Sequence, residues 1–395
     1  MKLSLCMIVK NEEITLPKCL SSVKNVVDEI VVLDTGSVDR TPQIAQRFGA
    51  KVHHFQWCND FSAARNEALQ YVTGDWILVL DADEILSPKI VPKLRDAIQR
   101  EEYLLINLVR HEVGAAQSPY SLVSRLFRHH PDIHFTRPYH ALIDDSVTVI
   151  LKQEPHWQIG YLPNVAILHV GYQKDVISQQ NKYVKAQAAM EEFLATHPHD
   201  PYVCSKLGAL YVDIGKIASG IELLARGVTA CEENYEVLYE LYYHLGIAYS
   251  RLQNSKQAIA HYKAAIKLPI YPILKLGAYN NLGNLLKAVG DLKGAQTAYQ
   301  TALKIDPNFA ALHCNLGLTF KSMNLYPDAI ASYQKAIQLN PSYAEAYQNL
   351  GVVLLKTGYV QESLTAFKTA IALHEQRNPQ EAQRLRQSLQ EMGLM

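Results

Sequence analysis

The chain has no excess of either charge: Lys plus Arg and Asp plus Glu number 38 each in 395 residues. Up to position 175 there are 18 basic and 21 acidic residues, so no segment forms the basic field that a nucleic-acid partner requires. Cysteine is sparse and scattered. The six (Cys6, Cys19, Cys58, Cys204, Cys231, Cys314) include no Cys-x-x-Cys, which excludes a zinc ribbon and argues against a disulfide framework. A reducing cytoplasm is the expected compartment. No apolar run approaches the roughly 18 residues of a membrane span, leaving only peripheral membrane contact open. The first apolar stretch, Leu3–Val9, is too short for a signal segment and runs directly into Lys10-Asn11-Glu12-Glu13. The histidines follow no zinc spacing.

With 48% apolar residues, the chain can build two or three domains with real cores. Its first part alternates short apolar runs with helical periodicity. Residues 3–9, 29–33, 51–55 and 76–80 read as strands; 15–23, 41–48 and 62–71 read as helices, with Asp39 capping the second and Pro42 in its first turn. Strand, helix, strand, helix at this spacing predicts an α/β domain with a parallel sheet. Asp34 ends the second strand and Lys10-Asn11-Glu12 follows the first. The fourth strand runs into Asp81-Ala82-Asp83-Glu84. These polar clusters share the sheet edge at which nucleotides bind. Side chains alternate along a strand, so Asp81 and Asp83 are expected to face one way and Ala82 the other. Two carboxylates so spaced can hold a divalent cation against a phosphorylated substrate.

Four ordered motifs carry a family resemblance: Met7-Ile8-Val9-Lys10-Asn11-Glu12-Glu13, the segment from Asp28 to Thr41, Asp60-Phe61-Ser62-Ala63-Ala64-Arg65-Asn66, and Asp81-Ala82-Asp83-Glu84. Across residues 1–172 the chain resembles the inverting glycosyltransferases of family 2, with the GT-A fold. It is most similar to the subgroup of lipopolysaccharide-core glucosyltransferases and bacteriocin S-glycosyltransferases. The resemblance implies a nucleotide-sugar donor, a UDP-sugar, and Mn²⁺ or Mg²⁺. It implies that Asp81 reaches the ribose and Asp83 ligates the metal, which neutralises the diphosphate. Asp34 would contact uracil or ribose, against the plainer reading of a turn-forming residue before Gly36. Arg65 would reach the nucleotide rather than solvent. For Asn11 and Glu12, donor binding and helix capping are equal readings.

The segment Phe135-Thr136-Arg137-Pro138-Tyr139-His140-Ala141 is similar to one in which this subgroup carries His-Glu, yet position 141 is Ala. An inverting transfer needs a base to deprotonate the acceptor. Asp144 and Asp145 are the nearby substitutes. Ile167-Leu168-His169-Val170-Gly171-Tyr172 resembles the segment that closes the family's catalytic domain, which makes His169 a third metal ligand or a diphosphate contact, against the plainer reading of a core histidine.

The second half repeats. Leu282-Gly283, Leu316-Gly317 and Leu350-Gly351 recur every 34 residues, and Leu207-Gly208 and Leu245-Gly246 precede them at irregular intervals. Gly317, Phe320, Ala329, Tyr333, Ala336 and Pro341 occupy positions that match tetratricopeptide repeats. In the first repeat Gly220, Leu224 and Gly227 stand where Ala, an aromatic and Ala are expected. Asn281, Asn315 and Asn349 share one repeat position. They resemble the asparagine ladder of O-GlcNAc transferase, which implies peptide binding, against the plainer reading that they satisfy local backbone groups.

The predicted organisation is an α/β GT-A domain (1–175), a linking helix (176–200), about five tetratricopeptide repeats forming an all-α solenoid (201–375) and a capping helix (376–395). The expected activity is metal-dependent transfer of a sugar from a nucleotide-sugar to an acceptor protein, peptide or glycan recruited by the repeats. A non-catalytic adaptor is the alternative that Ala141 favours. A nucleotidyltransferase ranks low, because Val9-Lys10-Asn11-Glu12-Glu13 lacks the glycines of a phosphate loop.

Overall fold

A computed structural model describes residues 1–115, 119–170, 176–232 and 234–394, with the side chains of 176–183 left aside. Gly171 and Tyr172 of the closing segment lie outside the described residues. The chain divides into two compact units, Met1–Glu232 and Glu233–Met395.

In the first unit, strands β1 (Leu3–Val9), β2 (Glu29–Asp34), β3 (Lys51–His54) and β4 (Trp76–Val79) are joined by helices α1 (Leu16–Val23), α2 (Thr41–Arg47) and α3 (Phe61–Leu69). Then come β5 (Glu84–Leu86), α4 (Val91–Ala97), β6 (Tyr103–Glu112), β7 (Tyr120–Arg128), α5 (Asp144–Gln153) and β8 (Gln158–His169). They form one eight-stranded sheet in the order β3-β2-β1-β4-β7-β6-β8-β5. The first four strands pair in parallel, and β7 adds antiparallel to β4. Alternation splits the apolar residues between two faces. Leu5, Met7, Val32, Leu78 and Leu80 enter one core, which also holds Leu16 and Leu20 of α1 and Leu94 of α4. Cys6, Val31, Leu33, Ile77 and Val79 enter a second, with Ala64 and Ala68 of α3 and Val147 and Ile150 of α5. Burial on both faces explains why these strands read as unbroken apolar runs.

One expectation changes. Strand β4 ends at Val79, and Asp81–Glu84 form a turn closed by the Glu84 amide donating to the Asp81 carbonyl (3.0 Å). Strand alternation therefore does not govern Asp81 and Asp83, and their side chains diverge.

The first unit continues through α6 (Val176–Thr196), α7 (Pro201–Asp213) and α8 (Ile217–Ala230). The first helical hairpin thus belongs with the sheet, beyond the expected boundary at 175. Arg137 fastens it, with Nη2 2.7 Å from Asp200, the N-cap of α7, and Nη1 2.5 Å from Asp145. Tyr139 packs against the α6–α7 core. Within the hairpin a Cβ on Gly208 would meet Leu224 at 2.7 Å, so Leu224 fills the slot where other repeats use an aromatic.

The second unit contains four helix pairs: α9 (Tyr235–Arg251) with α10 (Ser255–Lys267), α11 (Leu276–Ala288) with α12 (Leu292–Ile305), α13 (Ala310–Ser322) with α14 (Tyr326–Leu339), and α15 (Ala344–Lys356) with α16 (Val360–Arg377). Each pair closes over a glycine. A Cβ on Gly246, Gly283, Gly317 or Gly351 would lie 2.5, 2.6, 2.7 or 3.0 Å from the ring of Tyr262, Tyr299, Tyr333 or Phe367. A short 3₁₀ turn, Pro272–Lys275, lies between α10 and α11 and accompanies the longer spacing there. Ala382, Leu385 and Leu389 of α17 (Pro379–Glu391) pack on Phe367, Ala370 and Ile371, burying the end of the stack. No helix among the described residues is long and apolar enough to cross a membrane.

Candidate active site

The loops after β1, β2 and β4 meet at one sheet edge. Asn11, at φ +55°, accepts from the Val38 amide (2.8 Å) and donates its own amide to Ser37 Oγ (2.9 Å), tying the first two loops together. Glu12 donates its amide to Thr41 Oγ1 and accepts from Thr15 Oγ1. Asp39 accepts from the Thr41 amide (3.0 Å) at the entry to α2. Asp34 is buried; its carboxylate accepts from the amides of Gly36 and Ser37 and lies 3.4 Å from His54 Nδ1. The φ of +97° at Gly36 makes this turn available to glycine above other residues.

Asp81 is clamped between two arginines. Arg65 Nη2, from α3, reaches Oδ1 at 2.7 Å, and Arg125 Nη2, from β7, reaches Oδ2 at 2.9 Å. Burial pushes the Asp81 carboxyl up, but the two guanidiniums outweigh it and hold it far below the ordinary carboxylate range. Arg65, expected to reach the nucleotide, is itself buried and engaged with this carboxylate.

Asp83 turns elsewhere. Its Oδ2 lies 3.3 Å from His169 Nε2 at the end of β8, while His169 Nδ1 meets Glu112 Oε2 at 2.5 Å. Arg110 links Glu112 (2.8 Å) to the fully buried Glu84 (3.0 Å), whose other oxygen accepts from the Asp81 amide (2.9 Å). The turn is thus held by a ring of charged groups from β5, β6 and β8. Hydrogen bonds to Asp83 and Glu112 outweigh burial and raise the His169 imidazole to about 9. The set expected on the metal does not converge. Among the described residues no three His, Cys, Asp or Glu side chains form a metal-ligand group.

Asp144 and Asp145 open α5 but differ sharply. Asp145 is spent on Arg137 and Thr136. Asp144 accepts from Ser124 Oγ (2.8 Å) through Oδ1, while Oδ2 is buried without a hydrogen-bond partner among the described residues. Burial raises its carboxyl, and the Ser124 hydrogen bond only partly offsets this. Ala141 packs against the core below α5.

In the repeats, Asn281 donates to Tyr243 Oη (3.3 Å) and Asn315 to Asn280 Oδ1 (2.8 Å); Asn349 accepts from Lys321 Nζ (3.0 Å) and donates to the Glu345 carbonyl (2.8 Å). The amides therefore join consecutive repeats and do not share one pattern of partners. Arg110, Glu112 and Arg125 escaped the sequence reading. Only strand pairing brings Arg125 to Asp81.

Comparison with known proteins agrees with this architecture. The family model for glycosyl transferase family 2 matches residues 4–160. Models for TPR repeats match 283–324 and 320–358, and a tetratricopeptide repeat model matches 239–269 and 344–376. A TPR repeat-containing protein of Synechococcus elongatus is 46% identical over 306 residues, 78% of this chain and 76% of that one. Glycosyltransferase SunS of Bacillus phage SPbeta is 29% identical over 198 residues, 49% of this chain and 45% of SunS. An uncharacterized glycosyltransferase of Rickettsia felis is 40% identical over 89 residues, 22% of this chain and 31% of its own length. A crystal structure of MamA covers 47% of this chain and 97% of its own, at 24% identity and TM-score 0.40. The matches define a glycosyl transferase family 2 domain followed by a helical repeat array. The chain belongs to the glycosyl transferase family 2 proteins that carry tetratricopeptide repeats.

Proposed function

We propose that the chain is a metal-dependent inverting glycosyltransferase of the cytoplasm, moving a sugar from a UDP-sugar to an acceptor that the repeats recruit, a polypeptide above all. The observation that carries this reading is the Asp81–Glu84 turn at the end of β4, with Asp83 paired to His169 and Asp81 held by two guanidiniums. Asp83 Oδ2 and His169 Nε2 lie 3.3 Å apart, close to the ~3 Å between adjacent ligands of an octahedral ion with bonds of about 2.1 Å. Mn²⁺ and Mg²⁺ fit this pair, since such ions complete their shell with water and phosphate rather than protein. Glu112, on the other imidazole nitrogen, would fix the ring's orientation. Bound there, the ion would neutralise the diphosphate as the sugar–phosphate bond breaks.

The remaining roles belong to side chains. Asp34, Asn11 and Glu12 shape the nucleoside end, and Arg65 holds Asp81 toward the ribose. Asp144 takes the acceptor's proton, replacing the carboxylate that position 141 lacks. Its buried Oδ2 and raised pKa suit a base, whereas Asp145 is neutralised by Arg137. Asn281, Asn315 and Asn349 bind a peptide backbone only by exchanging partners they already hold.

The test is turnover of a panel of UDP-sugars with and without Mn²⁺. Metal-dependent hydrolysis or transfer is expected, lowered at least about 100-fold in Asp83→Ala. Donor binding with no turnover across a broad acceptor panel would instead make the protein a nucleotide-sensing adaptor, the reading Ala141 favours.

A further inference from the structure

The clamp on Asp81 is unbalanced. Two guanidiniums share one carboxylate, and Arg125 uses only Nη2 on it; Nη1 is buried and has no hydrogen-bond partner among the described residues. A buried cationic donor left unpaired is costly, and native proteins rarely keep one without a ligand or water to fill it.

A β-bulge aims this group. Ile106 pairs with Leu126 and Leu108 with Val123, so on β6 the single residue Asn107 stands opposite two on β7, Ser124 and Arg125. A bulge re-aims side chains that strict alternation would send to opposite faces. Ser124 reaches Asp144 at the head of α5, and Arg125 reaches Asp81 beside Arg65 of α3. Both α3 and α5 cover the same face of the sheet. Two buried atoms without a hydrogen-bond partner among the described residues, Arg125 Nη1 and Asp144 Oδ2, are thus tied to consecutive positions of this bulge, the first directly and the second through Ser124. One is a spare donor and the other a spare acceptor.

A planar guanidinium with free N–H groups selects anions with paired oxygens, phosphate before all. We infer that Arg125 is a direct ligand of the donor's diphosphate, its Nη1 donating to a phosphate oxygen while Nη2 stays on Asp81. This assignment rests on the nucleotide-sugar reading given above. It would divide the leaving group between two cationic supports, a metal that Asp83 and His169 would hold and a guanidinium held by Asp81. As the sugar bond breaks, charge grows on the diphosphate and the fixed donor strengthens its hold without rearrangement.

The test is calorimetric binding of UDP, uridine and inorganic pyrophosphate to the full chain, in EDTA and in Mn²⁺. Wild type is expected to bind UDP at least about tenfold more tightly than uridine. Arg125→Met should weaken UDP and pyrophosphate about 10- to 100-fold in EDTA as well as in Mn²⁺, with uridine unchanged. Unchanged UDP affinity in Arg125→Met, or an equal loss of uridine, overturns the assignment and leaves Arg125 a support for Asp81. If wild type binds neither UDP nor uridine, the nucleotide-sugar reading falls and the assignment with it. Should Arg125→Met fail to fold, a crystal structure of wild type with UDP decides. A phosphate oxygen within hydrogen-bonding distance of Nη1 supports the assignment, and a water there with the diphosphate elsewhere refutes it.

Discussion

Glu29 opens β2 at the edge of the sheet opposite the Asp81 turn, and its buried carboxylate gathers four donors. Ser4 Oγ lies at 2.6 Å, and the Thr73 amide, Thr73 Oγ1 and Lys51 Nζ each lie at 2.8 Å. Burial pushes this carboxyl up, but the hydrogen bonds from Lys51, Ser4 and Thr73 outweigh it and bring it from an ordinary 4.5 to about 2. A carboxylate depressed in the folded state stabilises the fold fully above its unfolded pKa. The contribution is lost as pH falls through the folded one. At about 1.4 kcal/mol per pH unit, this is about 3 kcal/mol, present above pH 4.5 and gone near pH 2. Glu29→Gln presents amide N–H groups to a cluster made of donors and should cost about 2–4 kcal/mol at pH 7. Trp57, Trp76 and Trp157 all lie in the first unit, so urea unfolding followed by tryptophan fluorescence reports that unit alone. The gap between wild type and Glu29→Gln should be about 3 kcal/mol at pH 6 and clearly smaller at pH 3, with UDP binding at pH 7 unaltered. A gap of equal size at both pH values would refute the reasoning, since the stabilisation would then not come from the ionised carboxylate.

Three further outcomes are expected. Asp144→Asn should lower kcat about 10²- to 10⁴-fold while leaving the donor KM near wild type. The wild-type rate should fall in acid with an inflection above the ordinary Asp value, because burial raises this group and only its ionised form accepts a proton; a kcat within threefold of wild type would remove Asp144 from the mechanism. Gly317→Ala forces a methyl to within 2.7 Å of the Tyr333 ring and should cost about 1–3 kcal/mol, seen as a lower Tm in the helical circular-dichroism signal with the tryptophan transition unmoved. An unchanged melting curve would show that the helix pair yields more readily than its packing implies.

The readings that succeeded rest on local or periodic signals. Apolar runs buried on both faces identify β1, β2 and β4, and boundaries shift by only a residue or two, as fraying ends do. The 34-residue period survives because each repeat reuses one contact, a glycine beneath the aromatic ring of the following helix. What escaped depends on pairing between distant strands. Glu112 meets His169 across 57 positions, and Arg125 meets Asp81 across 44. Asp144 and Asp145 are indistinguishable as neighbours in a chain, yet one buries an oxygen beside Ser124 and the other meets Arg137.

By itself, then, the chain's sequence determined its two kinds of architecture and the sheet edge on which the polar loops gather. Strand burial is written in unbroken apolar runs, and the helical repeats in a period of thirty-four. The tertiary structure decided what the charged groups do. It ends β4 before Asp81, divides Asp81 from Asp83, and through one extra residue in β7 swings Arg125 and Ser124 toward the same face. The physical reason is that a carboxylate's role follows from the charges within a few ångströms of it, and folding alone chooses those neighbours.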